Sequence, residues 1–347
     1  MRVSARRVPH PDRAPSRAAV HFLRRRRVVA AGLGTALARP VRAQTPWPQR
    51  PLRMVVGFPA GGGVDIIARL LASQMATRLG QPVVIENRGG ANGNVAMEAS
   101  ARAAADGYTL FFGNIGNLAI NNELFPRLSF DTLRDFTPVA QVNEHYFYMA
   151  IARRVPVASL AEFVGYARAN PGRLSFGSPG LGSAHHLGFE LFSRPLGLDI
   201  VHIPYRGEAP ALQDLAAGNL DFTIGGYGAL LPLIEAGHAR IVATTAAQRL
   251  PWLPDMPTVA EAAPLPGYDL TGWMAVMAPA ATPPAILRRL EQEIAESLRP
   301  DGEVARVLET RGVTARFRDG AATRALITAE RVRWGRIIRE AGITPVE

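Results

Sequence analysis

The sequence contains no cysteine and no lysine, and these two absences exclude several kinds of chemistry. Without cysteine the chain has no disulfide, no thiolate metal site and no lipid-attachment cysteine. The combined count of lysine and arginine is 39, and all of these residues are arginine. This excludes the lysine of a phosphate-binding P-loop, a Schiff-base lysine and a serine–lysine dyad. Nothing in the sequence indicates a cofactor, and we expect none.

Long apolar runs are also missing, and a short one lies in a basic N-terminal segment. Residues 1–43 contain eleven arginines and one acidic residue, Asp12. Four of the arginines, 24–27, directly precede the apolar run Val28–Ala38, and Val41-Arg42-Ala43 then precedes Gln44. This order of basic, apolar and small residues is typical of a secretory signal, and the apolar run is too short to span a bilayer. We predict export to the periplasm, by the Sec or the twin-arginine route, rather than a basic tail on a cytoplasmic protein.

Removing that segment changes the charge of the protein. The whole chain carries a formal charge of +10, and the excess of arginine in residues 1–43 accounts for all of it. The remaining chain is close to neutral, so it lacks the basic surface that binds a phosphate backbone. We therefore expect no nucleic-acid partner.

Strand-like and helix-like segments alternate along the rest of the chain. Three short β-branched runs separated by two amphipathic stretches predict a βαβαβ unit, and hence a parallel sheet with right-handed crossovers. The predicted strands are 53–58, 82–87 and 108–113, and the helices between them cover 66–79 and 94–104. Two strand-like runs then follow each other between Phe136 and Ala152 without a helix.

A second βα series follows and predicts a second lobe. We assign residues 44–145 and 245–347 to a discontinuous first lobe and 146–244 to a lobe inserted into it, with the bordering strands as a hinge. The fold class is therefore α/β with two βα lobes and a cleft between them. We expect a monomer.

Glycine-rich turns stand between predicted strands and predicted helices in both lobes. In a parallel sheet such turns lie at the carboxyl ends of the strands, where ligands bind, and free N–H groups at helix starts favour an anion. The backbone of these turns, with Asn114, Ser178 and Ser183, could hold a carboxylate without any lysine. The turns are 58–65, 113–117, 177–183, 204–207 and 225–228.

Other polar residues near these turns leave alternatives open. Asp65 is predicted in the first turn of a helix, where an acid is more often a capping residue than a ligand contact. His185 and His186 are adjacent and have no third histidine at metal-ligand spacing, so we expect His186 to pack or to form a hydrogen bond. The main alternative to a protein that only binds a carboxylate is a secreted hydrolase that uses Ser183 with His186 as its base. A ligand-sensing regulatory domain of similar fold is the other rival.

The turns together resemble a known family. The segments 51–65, 80–88, 106–110, 177–187 and 204–215 resemble, in order, motifs of the tripartite tricarboxylate transporter substrate-binding (Bug-type) family. The resemblance implies a periplasmic binding protein type II fold, a small carboxylate as ligand, and integral-membrane transporter subunits as partners. Asn92 departs from the family pattern, which usually has glycine there.

The resemblance also implies which residues bind the ligand. In such proteins, backbone groups of the first glycine-rich loop and of its counterpart in the second lobe hold the carboxylate. In this sequence the corresponding residues are Phe58, Ala60, Gly61, Gly62, Asp65, Gly113 and Asn114 in the first lobe, and Ser178, Gly180, Gly182, Ser183, Tyr205, Gly207 and Ala209 in the second.

Overall fold

A computed structural model describes residues 47–340 together with Gly342 and Ile343. The predicted secretory signal, residues 1–43, lies outside the described residues. No helix among those described is long and apolar enough to cross a membrane.

The predicted βαβαβ unit is confirmed at the start of the described chain. Strand β1 (Leu52–Val56) lies between β2 (Val83–Asn87) and β3 (Thr109–Asn114), and both pairings are parallel. Helices α1 (Gly63–Leu79) and α2 (Asn94–Ala101) form the crossovers. Helix α1 ends where Gly80 adopts a left-handed backbone with φ 67°, a conformation that glycine enters without steric cost.

The side chains of strand β1 are buried on both faces of the sheet. Leu52, Met54 and Val56 are fully buried together with Leu71 of α1, whereas Val55 belongs to the core on the opposite face. Successive side chains on a strand point to opposite faces, so an unbroken apolar run fits a sheet buried on both sides. Each such side chain stabilises the fold by roughly 1.5–3 kcal/mol on burial.

The two consecutive strand-like runs form one long strand instead of two. Strand β4 (Phe136–Ala152) has 17 residues. Its first half pairs antiparallel with β9 (Thr271–Pro279) and β10 (Val313–Asp319), and β9 also pairs with β3. Strand β10 was not predicted, although Val313, Ala315 and Phe317 alternate with polar or charged residues as in a strand.

The second half of β4 pairs with two strands of the second βα series. It pairs antiparallel with β7 (Phe222–Gly226) and β8 (Ala239–Thr244), and β5 (Leu174–Ser178) pairs parallel with both β6 (Ile200–Pro204) and β7. The helices of this series are α4 (Leu160–Ala169), α5 (Ala184–Ser193), α6 (Glu208–Ala217) and α7 (Tyr227–Glu235). The strands therefore form two βα lobes that share β4.

Shorter elements and the C-terminal helices complete the fold. A 3₁₀ turn covers Ala91–Gly93, and a π-helical turn, Gly116–Ile120, leads into α3 (Asn121–Leu124). The remaining helices are α8 (Val259–Ala262), α9 (Pro284–Ser297), α10 (Glu303–Glu309) and α11 (Gly320–Glu340). Helix α11 packs against β4, the π-helical turn and α3, and its Trp334 is fully buried in the core.

Candidate functional site

The loop between β1 and α1 is fixed by a buried carboxylate. Asp65 is only 2% exposed, and its side chain accepts hydrogen bonds from the backbone N–H of Gly61 (2.8 Å), from Arg69 Nε (2.9 Å) and from Asn87 Nδ2 (2.8 Å). Burial by itself raises the pKa of this carboxyl, but the hydrogen bonds from Arg69, Gly61 and Asn87 outweigh it and hold the pKa below its usual value. Asp65 therefore shapes the loop from behind.

This arrangement decides which backbone donors of the loop are available. Gly61 adopts a φ of 84° and gives its N–H to Asp65, so it cannot also bind an anion. Gly62 is the N-cap of α1 with an extended backbone, and Gly63 is the first helical residue. Within the described part of the chain, neither Gly62 nor Gly63 donates its N–H to any acceptor. Such free donors at a helix start attract an anion.

The turn between β5 and α5 is closed by its own side chains. The hydroxyl of Ser178 accepts from the N–H of Gly180 (3.2 Å) and bonds with His202 Nε2 (2.7 Å). The hydroxyl of Ser183 donates to the Gly180 carbonyl (2.7 Å) and caps α5 by accepting from the N–H of His186 (3.2 Å). These serines support the turn, and its free N–H groups are those that follow at Ala184 and His185.

His186 has the hydrogen-bonding role that we predicted for it. Its Nδ1 accepts from the N–H of Gly182 (3.2 Å), its Nε2 lies 3.4 Å from Glu190, and its ring stacks on His202. The Ser183 hydroxyl is bonded to backbone groups and not to this imidazole. The pair therefore lacks the nucleophile–base hydrogen bond that the hydrolase alternative requires.

A third helix start lies beside the first two. Gly207, with φ 121°, precedes α6, and a side chain there would come within 3.7 Å of Pro59 across the cleft. Ala209, in the first turn of α6, donates its N–H to no other described residue. Tyr205 points elsewhere, since its hydroxyl donates to Asp214 (2.6 Å). Burial, with Asp214 adding to it, raises the pKa of Tyr205 to about 12.

The three helix starts surround one cavity of about 490 Å³ between the lobes. Eight of the predicted site residues line it, and six lie behind its wall. Those that line it are Phe58, Ala60, Gly61, Gly62, Asn114, Ser183, Gly207 and Ala209. Those behind are Asp65, Gly113, Ser178, Gly180, Gly182 and Tyr205. The predicted turns therefore meet in space, although several of the named residues hold the turns and do not face the cavity.

Sequence reasoning missed an aromatic wall at one side of the cavity. The ring of Phe147 contacts His145 (centroids 5.0 Å apart) and His185 (4.5 Å), both edge-on. Burial lowers the pKa of His145 to about 4, and burial together with the nearby His145 lowers that of His185 to about 3. Both rings are therefore neutral at pH 7. Only the long strand β4 brings His145 and Phe147 to the cleft, so no local motif could have indicated these two.

Asn92 forms a direct contact between the lobes. Its side-chain amide donates to the Gly182 carbonyl (3.0 Å) and to Asn121 Oδ1 (2.8 Å), and the residue lines the cavity. Its backbone has a φ of 51°, a left-handed conformation that asparagine tolerates better than most residues. The departure from glycine at this position thus adds a hydrogen bond across the cleft.

Residues 67–343 match the model of the tripartite tricarboxylate transporter family receptor, which covers most of the chain. The chain belongs to this receptor family. The receptor is 36% identical to protein BugT of Bordetella pertussis over 317 residues, 91% of this chain and 96% of BugT.

Solved structures show the same fold. A protein of R. palustris solved with adipate is 38% identical and superimposes with a TM-score of 0.83, covering 87% of this receptor and 100% of that chain. MatC from Rhodopseudomonas palustris, with bound malate, is 32% identical with a TM-score of 0.79, over 84% and 100% of the two chains. The periplasmic binding protein BugD is 29% identical with a TM-score of 0.81, over 86% and 99%. The receptor thus has the periplasmic binding protein type II fold.

Proposed function

We propose that this receptor captures a small carboxylate outside the cytoplasm and delivers it to a membrane transporter of the tripartite tricarboxylate type. The observation that carries the proposal is the convergence of three helix starts on one cavity. Gly62 and Gly63 at α1, Ala184 at α5 and Ala209 at α6 all present N–H groups that no described residue accepts.

The chemistry of these donors favours an anion. Each helix start carries a positive partial charge of about half an elementary charge, and each charge-assisted hydrogen bond contributes roughly 1.5–3 kcal/mol. The donors that we propose lie slightly further along the chain than those expected from the sequence. The N–H groups of Gly61, Gly180 and Gly182 already have acceptors within the protein. Two structural neighbours were solved with the carboxylates adipate and malate, which supports the class of ligand.

Two arginines border the cavity, but we assign them a smaller role. Arg206 and Arg311 are exposed and form no ion pair with any described residue. An exposed guanidinium is screened by water and adds little to binding. The carboxylate is therefore held mainly by backbone donors.

The remaining parts of the proposal concern location and motion. We propose that residues 1–43 direct export to the periplasm, that the mature protein is a monomer, and that the lobes comprise 44–145 with 245–347 and 146–244. Closure of the lobes by hinge bending around β4 would enclose the ligand. Small-angle scattering tests this last point, because the radius of gyration should fall when ligand is added.

Calorimetry with a panel of mono- and dicarboxylates tests the central proposal. The purified protein is first unfolded, dialysed and refolded so that any ligand carried from the cell is removed, and the released material is identified by mass spectrometry. We expect at least one carboxylate to bind, and we expect Arg206→Ala to weaken that binding much less than a change at Gly62. Failure of every carboxylate to bind would refute the proposal. Loss of binding in Arg206→Ala would instead show that a salt bridge holds the anion.

A further inference from the structure

Glu208 is the one acidic side chain among the described residues that line the cavity. It is the first residue of α6 and is partly buried. One of its carboxyl oxygens accepts from the backbone N–H of Gly226 at 2.9 Å. Gly226 is the N-cap of α7, so the protein's own carboxyl occupies the anion position at this fourth helix start. The N–H of Gly226 is therefore not available to the ligand carboxylate.

The Glu208 carboxyl has no cationic partner in the described part of the chain. Within the described residues, no arginine or histidine nitrogen lies within 4.0 Å of it, although Arg206 and Arg311 border the same cavity. Burial raises the pKa of Glu208, and the hydrogen bond from Gly226 opposes this only in part. A carboxyl group has two oxygens, and just one of these has a donor within the described chain. The second oxygen is not among the fully buried atoms that lack a partner, so a donor supplied by a ligand in the cavity can reach it and bond it.

Glu208 also lies next to the proposed anion site. Ala209 follows it directly, and Gly207 before it faces Pro59 of the loop that presents Gly62 and Gly63. A carboxylate held between that loop and the start of α6 would place its neighbouring carbon atoms close to the Glu208 side chain. A second carboxylate at this place would be repelled, because two like charges in a partly desolvated cleft cannot both stay ionised without cost.

We propose that Glu208 is a specificity-determining residue that accepts a hydrogen bond from an O–H or N–H group of the ligand. The ligands of this receptor are then hydroxy- or amino-substituted carboxylates, and their unsubstituted analogues bind more weakly. The inference rests on the proposed function, since it requires a carboxylate in the cleft. Beyond that function, Glu208 would recognise an O–H or N–H group of the ligand beside the carboxylate.

Matched pairs of acids test this inference. Calorimetry compares propionate with lactate and alanine, succinate with malate and aspartate, and phenylacetate with mandelate, so that each set keeps the carbon skeleton and changes one donor. For the set that fits the cavity, we expect the donor-bearing acid to bind at least about tenfold more tightly, as one charge-assisted hydrogen bond implies. The wild-type comparison needs no variant.

The isosteric variant Glu208→Gln then assigns the preference to this residue. Its amide oxygen can still accept from Gly226, so the thermal midpoint without ligand should stay close to that of the wild type. We expect the preference for the donor-bearing acid to fall to about threefold or less. Glu235→Gln, an exposed glutamate in the last turn of α7 that does not line the cavity, is the matched control and should leave the preference unchanged.

The outcomes separate the two proposals. If acids bind but the wild type shows no preference, or if Glu208→Gln keeps the full preference, the inference about Glu208 is wrong and the proposed function stands. If no acid of any set binds, the proposed function fails and the inference fails with it. A preference present in the wild type and in Glu235→Gln but lost in Glu208→Gln supports both.

Discussion

Replacing Asp65 by alanine should destabilise the protein more than any ordinary surface substitution. The change removes the acceptor for three donors at once: the N–H of Gly61, the amide of Asn87 and the guanidinium of Arg69. Arg69 is about half exposed, with 51% of its side chain accessible, so water can replace its lost partner. The other two donors lose an acceptor in a place where Asp65 itself is 2% exposed.

The magnitude follows from these two donors. Leaving a buried donor without a partner costs about 1–3 kcal/mol. Because the second donor, Asn87, also bonds the Phe58 carbonyl at 3.0 Å, part of its hydrogen bonding survives. We therefore expect Asp65→Ala to lower the free energy of unfolding by about 2–4 kcal/mol. Asp65→Asn should cost somewhat less, since its amide keeps one acceptor oxygen but presents N–H groups to a donor.

Urea denaturation followed by circular dichroism measures this cost. Asp301→Ala is the matched control, because Asp301 is 78% exposed and meets Arg299 only at 3.5 Å. It should change the free energy of unfolding by less than about 0.5 kcal/mol. If Asp65→Ala costs no more than the control, the conclusion that Asp65 fixes the β1–α1 loop is wrong.

The pH dependence of the same difference provides a second check. The folded pKa of Asp65 is lower than its ordinary value of 3.8, so the folded state favours the ionised form. The stabilisation is fully present above the unfolded pKa and is lost as the pH falls through the lower folded pKa. The difference between wild type and Asp65→Asn should therefore be constant near neutral pH and shrink below about pH 4. A difference that grows on acidification would contradict the assignment.

Four further predictions concern binding, stability and export. Gly62→Val should weaken carboxylate binding at least about tenfold without lowering the thermal midpoint, because φ is −77° and the added Cβ meets only the Pro59 carbonyl at 3.6 Å. Gly61→Val should destabilise the empty protein in a thermal melt, because φ there is 84°. Asn92→Gly, which loses the hydrogen bond to Gly182, should weaken binding about three- to tenfold in calorimetry and make the scattering radius less responsive to ligand. Protein recovered from the periplasm should begin at Gln44 by N-terminal sequencing, and intact protein retained in the cytoplasm would exclude export.

Local patterns were sufficient to predict most of the secondary structure. Strand β1 starts one residue before the predicted residue 53, and helix α1 ends at the predicted residue 79. These segments have an apolar period that matches one kind of element and end at glycine or proline, which cannot continue it. The carboxyl ends of the strands were also predictable as the place of the site, since parallel strands present their following turns at one edge.

Other elements were not predicted from their own residues. The segment Val313–Asp319 alternates apolar and polar residues only from 313 to 318, and pairing with the edge of β4 makes it a strand. The run Phe136–Ala152 has two strand-like halves, and only pairing with β9 on one half and β7 on the other makes it continuous.

The candidate site also has one part that the sequence determined and another that it did not. The sequence by itself determined that glycine-rich turns precede helices in both lobes, because glycine and the start of an amphipathic run are local signals. Only the tertiary structure decided which donors are free. Asp65 accepts the N–H of Gly61, His186 that of Gly182 and Glu208 that of Gly226. Whether a backbone N–H can bind a ligand depends on whether a side chain already accepts it. That side chain lies four residues away for Gly61 and Gly182 and eighteen away for Gly226, and packing in three dimensions decides whether it turns towards the N–H.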